Sequence, residues 1–301
     1  MTDRQADPYG ECVTLSPGIR RILAPNPSPM TQNGTNTYIL GTGDVAVIDP
    51  GPAIATHLDA IMAALSAGER ISHILVTHAH LDHSGLARGL ADVSGAPVFA
   101  YGGALSGRSA AMTRLAALGL VGGGEGLDLA FAPDVILTDS ARVKGDGWAV
   151  DVVHTPGHLG GHLCFASENV LFSGDHVMGW STSLVSPPDG DMTDYMASLD
   201  LLAQRRWDSF LPAHGDPVAD PSQRINDLIA HRRSREAALL RALGAGALDI
   251  GTLTRRLYAD LAEGLLPAAQ RNVFAHLIDL ETRNLVRATP GVRETAIFTC
   301  R

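Results

Sequence analysis

Short apolar runs and stretches of helical periodicity alternate along the first two thirds of the chain. TYIL and VAVIDPG predict two strands joined by the turn GTGD. AIATHLDAIMAALSAG has apolar residues at helical spacing, ISHILVT is typical of a buried strand, and GLARGLADVSG predicts a second helix before the strand PVFAY. Further strands are predicted at VILTD, AVDVVHT, HLCFAS, NVLFSG and SFLPAHG, with a helix at 195–204. This order predicts an α/β protein with two sheets packed face to face and helices outside.

The segment 102–133 interrupts this pattern because it is rich in Ala and Gly. It contains one predicted helix, near 109–118, and the loop VGGGEG, which we expect to be mobile. We interpret the segment as a lid or a surface insertion, and the sequence leaves its role open.

The last part of the chain has a different character. From Pro221 onward the pattern predicts three helices and then a β-hairpin around TPGV, which is the layout of a winged helix. We therefore divide the chain into a catalytic domain, 1–220, and a winged-helix-like domain, 221–301. The third helix, 267–283, should turn these residues inward: Val273, Phe274, Leu277 and Ile278. The residues expected outside form a mixed set that makes recognition of duplex DNA unlikely: Asn272, His276, Asp279 and Arg283.

Composition indicates a soluble globular protein. The 301 residues are 45% apolar and 18% charged, and no apolar run reaches the roughly 18 residues needed to cross a bilayer. The stretch MTDRQADPYGECV carries no export or import pattern, so we expect a cytoplasmic protein without a membrane contact. Cys12, Cys164 and Cys300 are far apart and odd in number, which predicts reduced thiols.

The net charge of −9 is unevenly spread. From residue 223 to 301 there are 12 arginines and eight acidic residues, or +4, which leaves −13 for the rest. Such asymmetry indicates either a weak field toward a nucleic acid or membrane, or a solvated arginine-rich surface.

The most concentrated chemistry lies in LVTHAHLDHSG, directly after a predicted strand. Alternation along an extended chain lets His78 and His80 converge on one point, while Asp82 and His83 can face a second point nearby. Imidazole and carboxylate groups are ligands that suit Zn²⁺ and similar metals. Further ligands follow other predicted strands or lie in glycine-bounded turns: His158 in HTPGHLGG, Asp175 in LFSGDHV and His214 in LPAHGD.

This series resembles the ligand pattern of the metallo-β-lactamase superfamily over about residues 19–220. The resemblance implies an αββα sandwich and two divalent metal ions, most often Zn²⁺. It implies one metal held by His78, His80 and His158. It implies a second held by Asp82, His83 and His214, with Asp175 as the bridge and Asp82 also accepting a proton during attack.

Residues near the ligands are further candidates. Asp49, Thr77 and Ser173 could orient ligand imidazoles or could be turn and cap residues. His154 and His162 flank the TPGH turn and have either a supporting or a packing role.

Candidates for substrate contact follow Asp175. We expect catalytic His176 to face the substrate. In MGWSTSLVSPPDGDMTDYM, we predict that Trp180 and Tyr195 line a substrate groove, with packing as the alternative. The other histidines are isolated and are expected to be structural: His57, His73, His231 and His276.

Several stretches narrow the resemblance to the β-lactamase-like protein 2 group: TNTYIL, GDHVMGW, SPPDGDMTDYMASL and LPAHGDPVADP. The resemblance implies an endoribonuclease that cleaves single-stranded RNA. From the pattern of the C-terminal segment, we predict that it packs beside the metal cleft and that Arg232, Arg233 and Arg235 hold the strand at the rim. The alternative is a glyoxalase II-like hydrolase of small acyl thioesters. Against it, basic side chains are needed to hold the carboxylates of glutathione, and the chain has one lysine, Lys144. A DNA-binding regulator is a third hypothesis. The expected partner is therefore single-stranded RNA or a small molecule, and the sequence leaves the oligomeric state open.

Overall fold

The computed structural model of the chain describes residues 8–122 and 126–301. Within them, a first sheet has seven strands that lie side by side in chain order: β1 (Cys12–Ser16), β2 (Ile19–Leu23), β3 (Asn36–Leu40), β4 (Asp44–Ile48), β5 (Arg70–Leu75), β6 (Val98–Ala100) and β7 (Val135–Ile136). The pairs from β1 to β4 are antiparallel, and those from β4 to β7 are parallel. Parallel neighbours need crossovers, which contain α1 (Ala55–Ala63), α2 (Leu81–Ser84), α3 (Ala87–Ser94) and α4 (Ala110–Ala117).

The second sheet comes from the middle of the chain. Its five described strands lie in the order β12, β11, β10, β9, β8, with these bounds: β8 (Arg142–Lys144), β9 (Ala149–His154), β10 (Leu163–Ser167), β11 (Val170–Gly174) and β12 (Ser209–Pro212). The predicted hairpin at Glu168 and Asn169 joins β10 to β11, and Glu168 adopts the positive φ of 51° that this tight turn requires. Before β12, the chain forms α5 (Met192–Ala203).

Three apolar layers hold this arrangement together. Tyr38, Ile48 and Phe165 belong to the core between the two sheets. A second cluster joins the first sheet to α1 and α3, and a third joins the second sheet to α5 and the following helix. The predicted αββα sandwich is therefore confirmed.

The C-terminal part is a winged helix, as predicted. It contains α6 (Pro221–Gly244), β13 (Leu248–Asp249), α7 (Ile250–Leu257), a 3-10 turn (Glu263–Leu265), α8 (Leu266–Thr282), β14 (Val286–Thr289) and β15 (Ile297–Cys300). The three strands form a small sheet in the order β13, β15, β14.

Helix α6 belongs to both parts of the molecule. The Asp220 side chain caps its first turn, at the predicted division between 220 and 221. Its first half buries Ile225 and Leu228 against the second sheet, whereas its second half buries Leu239 and Leu243 in the winged-helix core. The two parts therefore share one continuous helix.

Helix α8 differs from its prediction on one face. Its apolar residues are buried as expected, but His276 and Asp279, expected outside, are only 3% and 9% exposed. The reason is that α5 packs on this face, where the Thr193 hydroxyl donates to Asp279 Oδ1 over 2.8 Å. Two of the four residues predicted outside are thus buried, while Asn272 is half-buried and Arg283 is exposed.

The insertion 102–133 also packs against the winged helix. Helix α4 contributes Met112 and Leu115 to the winged-helix core, so this part of the insertion is a buried contact. Residues 123–125 of the loop expected to be mobile lie outside the described residues. Strands β1, β2 and β8 were not predicted, because each is short and mixes polar or charged residues with apolar ones. Among the helices described, none is both long and apolar enough to cross a membrane.

Candidate metal centre

The predicted ligands gather at one edge of the sandwich, beyond the carboxyl ends of the strands. Strand β5 ends at Leu75, so His78 and His80 lie in the loop after the strand rather than on it, as the alternation argument had assumed. Asp82 and His83 lie in α2. The other three ligands follow the strands of the second sheet: His158 after β9, Asp175 after β11 and His214 after β12.

Among the residues that the structure describes, three overlapping groups of three ligands are each close enough to hold an ion, and two of these groups share no residue. In the first group, His78 Nε2 lies 2.9 Å and His158 Nε2 lies 3.1 Å from His80 Nδ1. In the second group, His214 Nε2 lies 3.3 Å and His83 Nε2 lies 3.6 Å from Asp82 Oδ2. Ligand atoms about 2 Å from a tetrahedral ion would have separations of this order.

Asp175 lies between the two groups. Its Oδ2 is 3.6 Å from His158 Nε2 in the first group and 3.6 Å from His83 Nε2 in the second. Its Oδ1 is 3.4 Å from His214 Nε2. This carboxylate is therefore placed to contact both ions.

Outer hydrogen bonds set the tautomers of the ligand imidazoles. Three Nδ1 atoms face oxygens that can only accept: His83 faces Asp49 Oδ2 at 3.0 Å, His158 faces the Leu184 carbonyl at 2.6 Å, and His214 faces the Gly34 carbonyl at 3.1 Å. Each Nδ1 must carry the proton, which leaves the Nε2 lone pair directed into the centre.

Two ligand atoms that point into the centre lack a hydrogen-bond partner in the described part of the chain. His83 Nε2 and Asp175 Oδ1 are buried without a hydrogen-bond partner among the described residues. Lone pairs that converge at about 3 Å repel each other unless a cation lies between them. The donor set therefore fits two divalent metal ions.

Asp49 is the main support of this centre. It adopts a positive φ of 49°, and its carboxylate accepts hydrogen bonds from Thr77 N, Thr77 Oγ1 and His83 Nδ1. Because the Thr77 hydroxyl donates to Asp49, its oxygen can accept from His78 Nδ1 at 3.0 Å. The supporting role predicted for Asp49 and Thr77 agrees with these contacts, whereas Ser173 bonds the Val177 carbonyl and closes a turn.

His162 supports the bridging residue through the backbone. Its buried ring accepts from Asp175 N at 3.2 Å, and its Nδ1 lies 2.9 Å from Thr155 Oγ1. His154 instead stacks on Tyr101 with 4.3 Å between ring centroids. Of the two roles left open by the sequence, His162 has the supporting one and His154 the packing one.

The charges of the centre favour cations. Burial lowers the pKa of His214, but Asp175 and Asp82 outweigh it and raise the value to about 9. The same balance, with Asp82, Asp175 and Asp49 as the carboxylates, raises the pKa of His83. In the first group, burial lowers the pKa of His80 to about 3. The second group thus attracts positive charge strongly, and the first offers neutral nitrogen ligands.

Two predicted substrate contacts are wrong. His176 is fully buried, and its ring lies 4.7 Å from the ring of Tyr195. Tyr195 is itself fully buried in the core and donates to the His176 carbonyl at 3.2 Å. Both residues point away from the cleft, since neighbours in sequence to a ligand need not share its direction. Trp180, by contrast, is 38% exposed and lies in the cleft.

The metal ligands open into a cleft of about 600 Å³ between the sandwich and the winged helix. Most of its wall is apolar. Met178 and Leu184 come from the stretch in which the sequence predicts a substrate groove, whereas the other apolar members come from segments with no such signal: Met30, Tyr258, Leu261, Leu265 and Pro267. No pattern could have revealed these other members, because they are scattered over the chain and meet only in the fold.

The arginines predicted at the rim have other partners. Arg232 is only 2% exposed and donates to the Ser183 carbonyl and to Asn272 Oδ1. Arg235 lies over the ring of Tyr258, 4.6 Å from its centroid, and donates to the Leu257 carbonyl at 3.2 Å. Arg233 is exposed but does not line the cleft. Arg232 and Arg235 are therefore engaged within the chain, and the predicted holding of a single strand by these arginines stays a prediction.

Comparisons with known proteins agree with this geometry. Residues 30–214 match the Metallo-beta-lactamase superfamily, and residues 250–293 match the Beta-lactamase associated winged helix domain. The chain therefore belongs to the metallo-β-lactamase superfamily, whose members are generally metal-dependent hydrolases.

Individual relatives extend over nearly the whole chain. A beta-lactamase-like protein 2 homolog of Drosophila melanogaster is 31% identical over 93% of each chain, which confirms the resemblance to that group. An atrochrysone carboxyl ACP thioesterase of Cryptosporiopsis is 30% identical over 85% of this chain and 77% of its own. A beta-lactamase domain protein from Burkholderia ambifaria has the same fold, with a TM-score of 0.81, 24% identity, and coverage of 100% of this chain and 96% of its own.

Proposed function

We propose that this protein is a dinuclear metal-dependent hydrolase that cleaves thioesters of apolar acyl groups. Two bound divalent ions would lower the pKa of water and polarise the scissile carbonyl. The chain's own residues divide the remaining work: the histidines and Asp175 hold the ions, while Asp82 borders the cleft with a partly exposed carboxylate. Asp82 is therefore the residue we assign as proton acceptor, in the role expected from the sequence.

The observation that carries the choice of substrate is the apolar wall of the cleft. An acyl chain extending from the metals toward Leu261 and Leu265 would bury apolar surface, which favours binding by about 25 cal/mol per Å². The relative named as an acyl carrier protein thioesterase supports this class of substrate.

The apolar wall also makes thioester hydrolysis a better candidate than cleavage of RNA, which the sequence alone had favoured. RNA brings one negative charge per nucleotide, and its binding depends on cations along the groove. The arginines of the described lining are Arg232 and Arg271. Arg232 bonds Ser183 and Asn272, whereas Arg271 pairs with Glu294 and the Val121 carbonyl.

Cleavage of single-stranded RNA remains the second candidate because of Trp180. Its exposed ring beside the metal centre could stack on a base, a contact worth about 1 to 3 kcal/mol. Two ions that stabilise attacking and leaving oxygens would also suit a phosphodiester.

A direct comparison of substrates tests the proposal. Protein reconstituted with Zn²⁺ is assayed on N-acetylcysteamine thioesters of acetyl, hexanoyl and decanoyl groups, on S-lactoylglutathione, and on a fluorescent RNA oligonucleotide. We expect the decanoyl thioester to have the highest kcat/KM, and Asp82→Asn to abolish its turnover. Metal-dependent RNA cleavage lost in the same variant, without thioester turnover, would reverse the order of the candidates.

A further inference from the structure

The support of His158 comes from a loop without regular structure, and this loop is held in place by the C-terminal part of the chain. The Leu184 carbonyl that accepts from His158 Nδ1 lies between the end of β11 and the start of α5. Its direction sets the orientation of the ring, since His158 must turn its Nε2 to the metal and its Nδ1 to this oxygen.

Both flanks of Leu184 are held by the C-terminal part of the chain. Val185 N donates to Asn272 Oδ1 of α8 at 3.1 Å. The Ser183 carbonyl accepts from Arg232 Nη2 of α6. Arg232 Nη1 also donates to Asn272 Oδ1 at 3.0 Å, which ties the two side chains to each other. We call Arg232, Asn272 and the backbone of 183–185 the clamp.

Burial and hydrogen bonds restrict the conformation of the clamp. Arg232 is almost fully buried, and its guanidinium lies over the Tyr195 ring with 4.9 Å to the centroid. Hydrogen bonds to the groups on both sides of Leu184 restrict its two peptide planes. The carbonyl in the middle then has one orientation available, and that is the one bonded to His158.

We propose that Asn272 and Arg232 are positioning residues for the first metal ion, acting through Leu184 and His158. The winged-helix part thereby completes a metal site whose ligands all lie in the catalytic domain. This inference rests on the metal centre and is independent of which substrate the enzyme cleaves.

The test measures metal binding by the full-length protein. Zn²⁺ affinity is determined by competition with a chromophoric chelator, and the geometry by the visible spectrum of the Co²⁺ form. In Asn272→Ala, we expect one of the two ions to bind about 10- to 100-fold more weakly, as is typical when an outer partner of a ligand is lost. The Co²⁺ bands should change for that ion alone.

Conservative replacements separate positioning from general stability. Asn272→Asp keeps an acceptor for Val185 N and Arg232, so it should restore the affinity. Arg224→Met is the matched control, since Arg224 also reaches from α6 to this loop but bonds the Met178 and Ser181 carbonyls. We expect both ions to bind Arg224→Met as they bind the wild type.

A double variant completes the assignment. If the clamp acts through His158, then Asn272→Ala should weaken metal binding no further once His158→Ala is present. Arg232→Met should behave like Asn272→Ala with a lower Tm. If it does not fold, the asparagine series decides alone. The inference is overturned if Asn272→Ala lowers Tm with both affinities unchanged, or weakens both ions equally.

Discussion

The floor and the wall of the cleft are built from different parts of the sequence. The floor consists of seven ligands in loops that follow strands and in the short helix α2, and outer hydrogen bonds such as that from His83 to Asp49 fix their direction. The wall consists of apolar residues from loops and from the winged helix, such as Leu184 and Leu261. Under the proposed function, the floor determines the reaction and the wall determines the substrate.

Loss of the bridge should have the largest effect on the floor. Asp175→Ala removes the carboxylate that lies between both groups of ligands, so hydrolysis should fall by well over about 100-fold. Elemental analysis should give about two metal equivalents for the wild type and fewer for the variant. His176→Ala is the neighbouring control, which we expect to bind both ions because His176 belongs to none of the groups of ligands. Two retained equivalents in Asp175→Ala would refute the bridging role.

A charge in the wall should affect the substrate without affecting the metals. Leu261→Asp places a carboxylate in the apolar lining, so KM for a decanoyl thioester should rise about tenfold or more at unchanged metal content. Leu118→Asp is the matched control, because Leu118 is 77% exposed and does not line the cleft. Equal KM values for the two variants would show that Leu261 does not take part in substrate binding.

Acid should lower the stability of the folded protein through His276, a buried residue of α8. Burial lowers its pKa to about 3, so the folded protein keeps this ring neutral while the unfolded chain takes up a proton near pH 6.5. Its contribution is therefore unaffected above pH 6.5, and stability falls by up to about 1.4 kcal/mol per pH unit below it. Denaturant unfolding of the metal-free protein between pH 7 and pH 5 checks the slope, which should be smaller in His276→Leu. An unchanged slope would contradict the assignment.

Trp180 should have the smallest effect and distinguishes the two substrates. Trp180→Ala should change thioester turnover only a few-fold, since many other side chains form the wall. If RNA is bound, its affinity should fall about 10-fold or more, because a stacked base is worth about 1 to 3 kcal/mol. Fluorescence anisotropy of a labelled oligonucleotide provides the measurement. A lowered Tm with no change in thioester turnover or RNA affinity would instead assign Trp180 to packing.

The same contrast explains how far the sequence could be interpreted. The ligands were predictable because four of them are local in the chain and the others follow recognisable strands, as with Asp175 after β11. Most strands of the two sheets were predictable because they are apolar runs, whereas the short, mixed strands β1, β2 and β8 were not. His176 and Tyr195 were misassigned since adjacency along the chain does not reveal which way a side chain points.

The clamp and the wall depend on contacts between distant segments. Val185 and Asn272 are 87 residues apart, and no periodic pattern connects them. The arginines of α6 looked like a cationic surface, but Arg232 and Arg224 bond carbonyls of the chain itself. Helix α8 has a second buried face because α5 covers it, which its own sequence could not indicate.

The dependence of kcat/KM on acyl length tests the division between floor and wall most directly. Each added methylene that reaches the wall should contribute about 0.8 kcal/mol, so kcat/KM should rise about fourfold per methylene until the cleft is full. The series is measured with N-acetylcysteamine thioesters at constant metal content, from two to twelve carbons. A steep rise followed by a plateau is the predicted result. A flat series would contradict the account, most clearly if the same preparation cleaved single-stranded RNA with a strong dependence on salt.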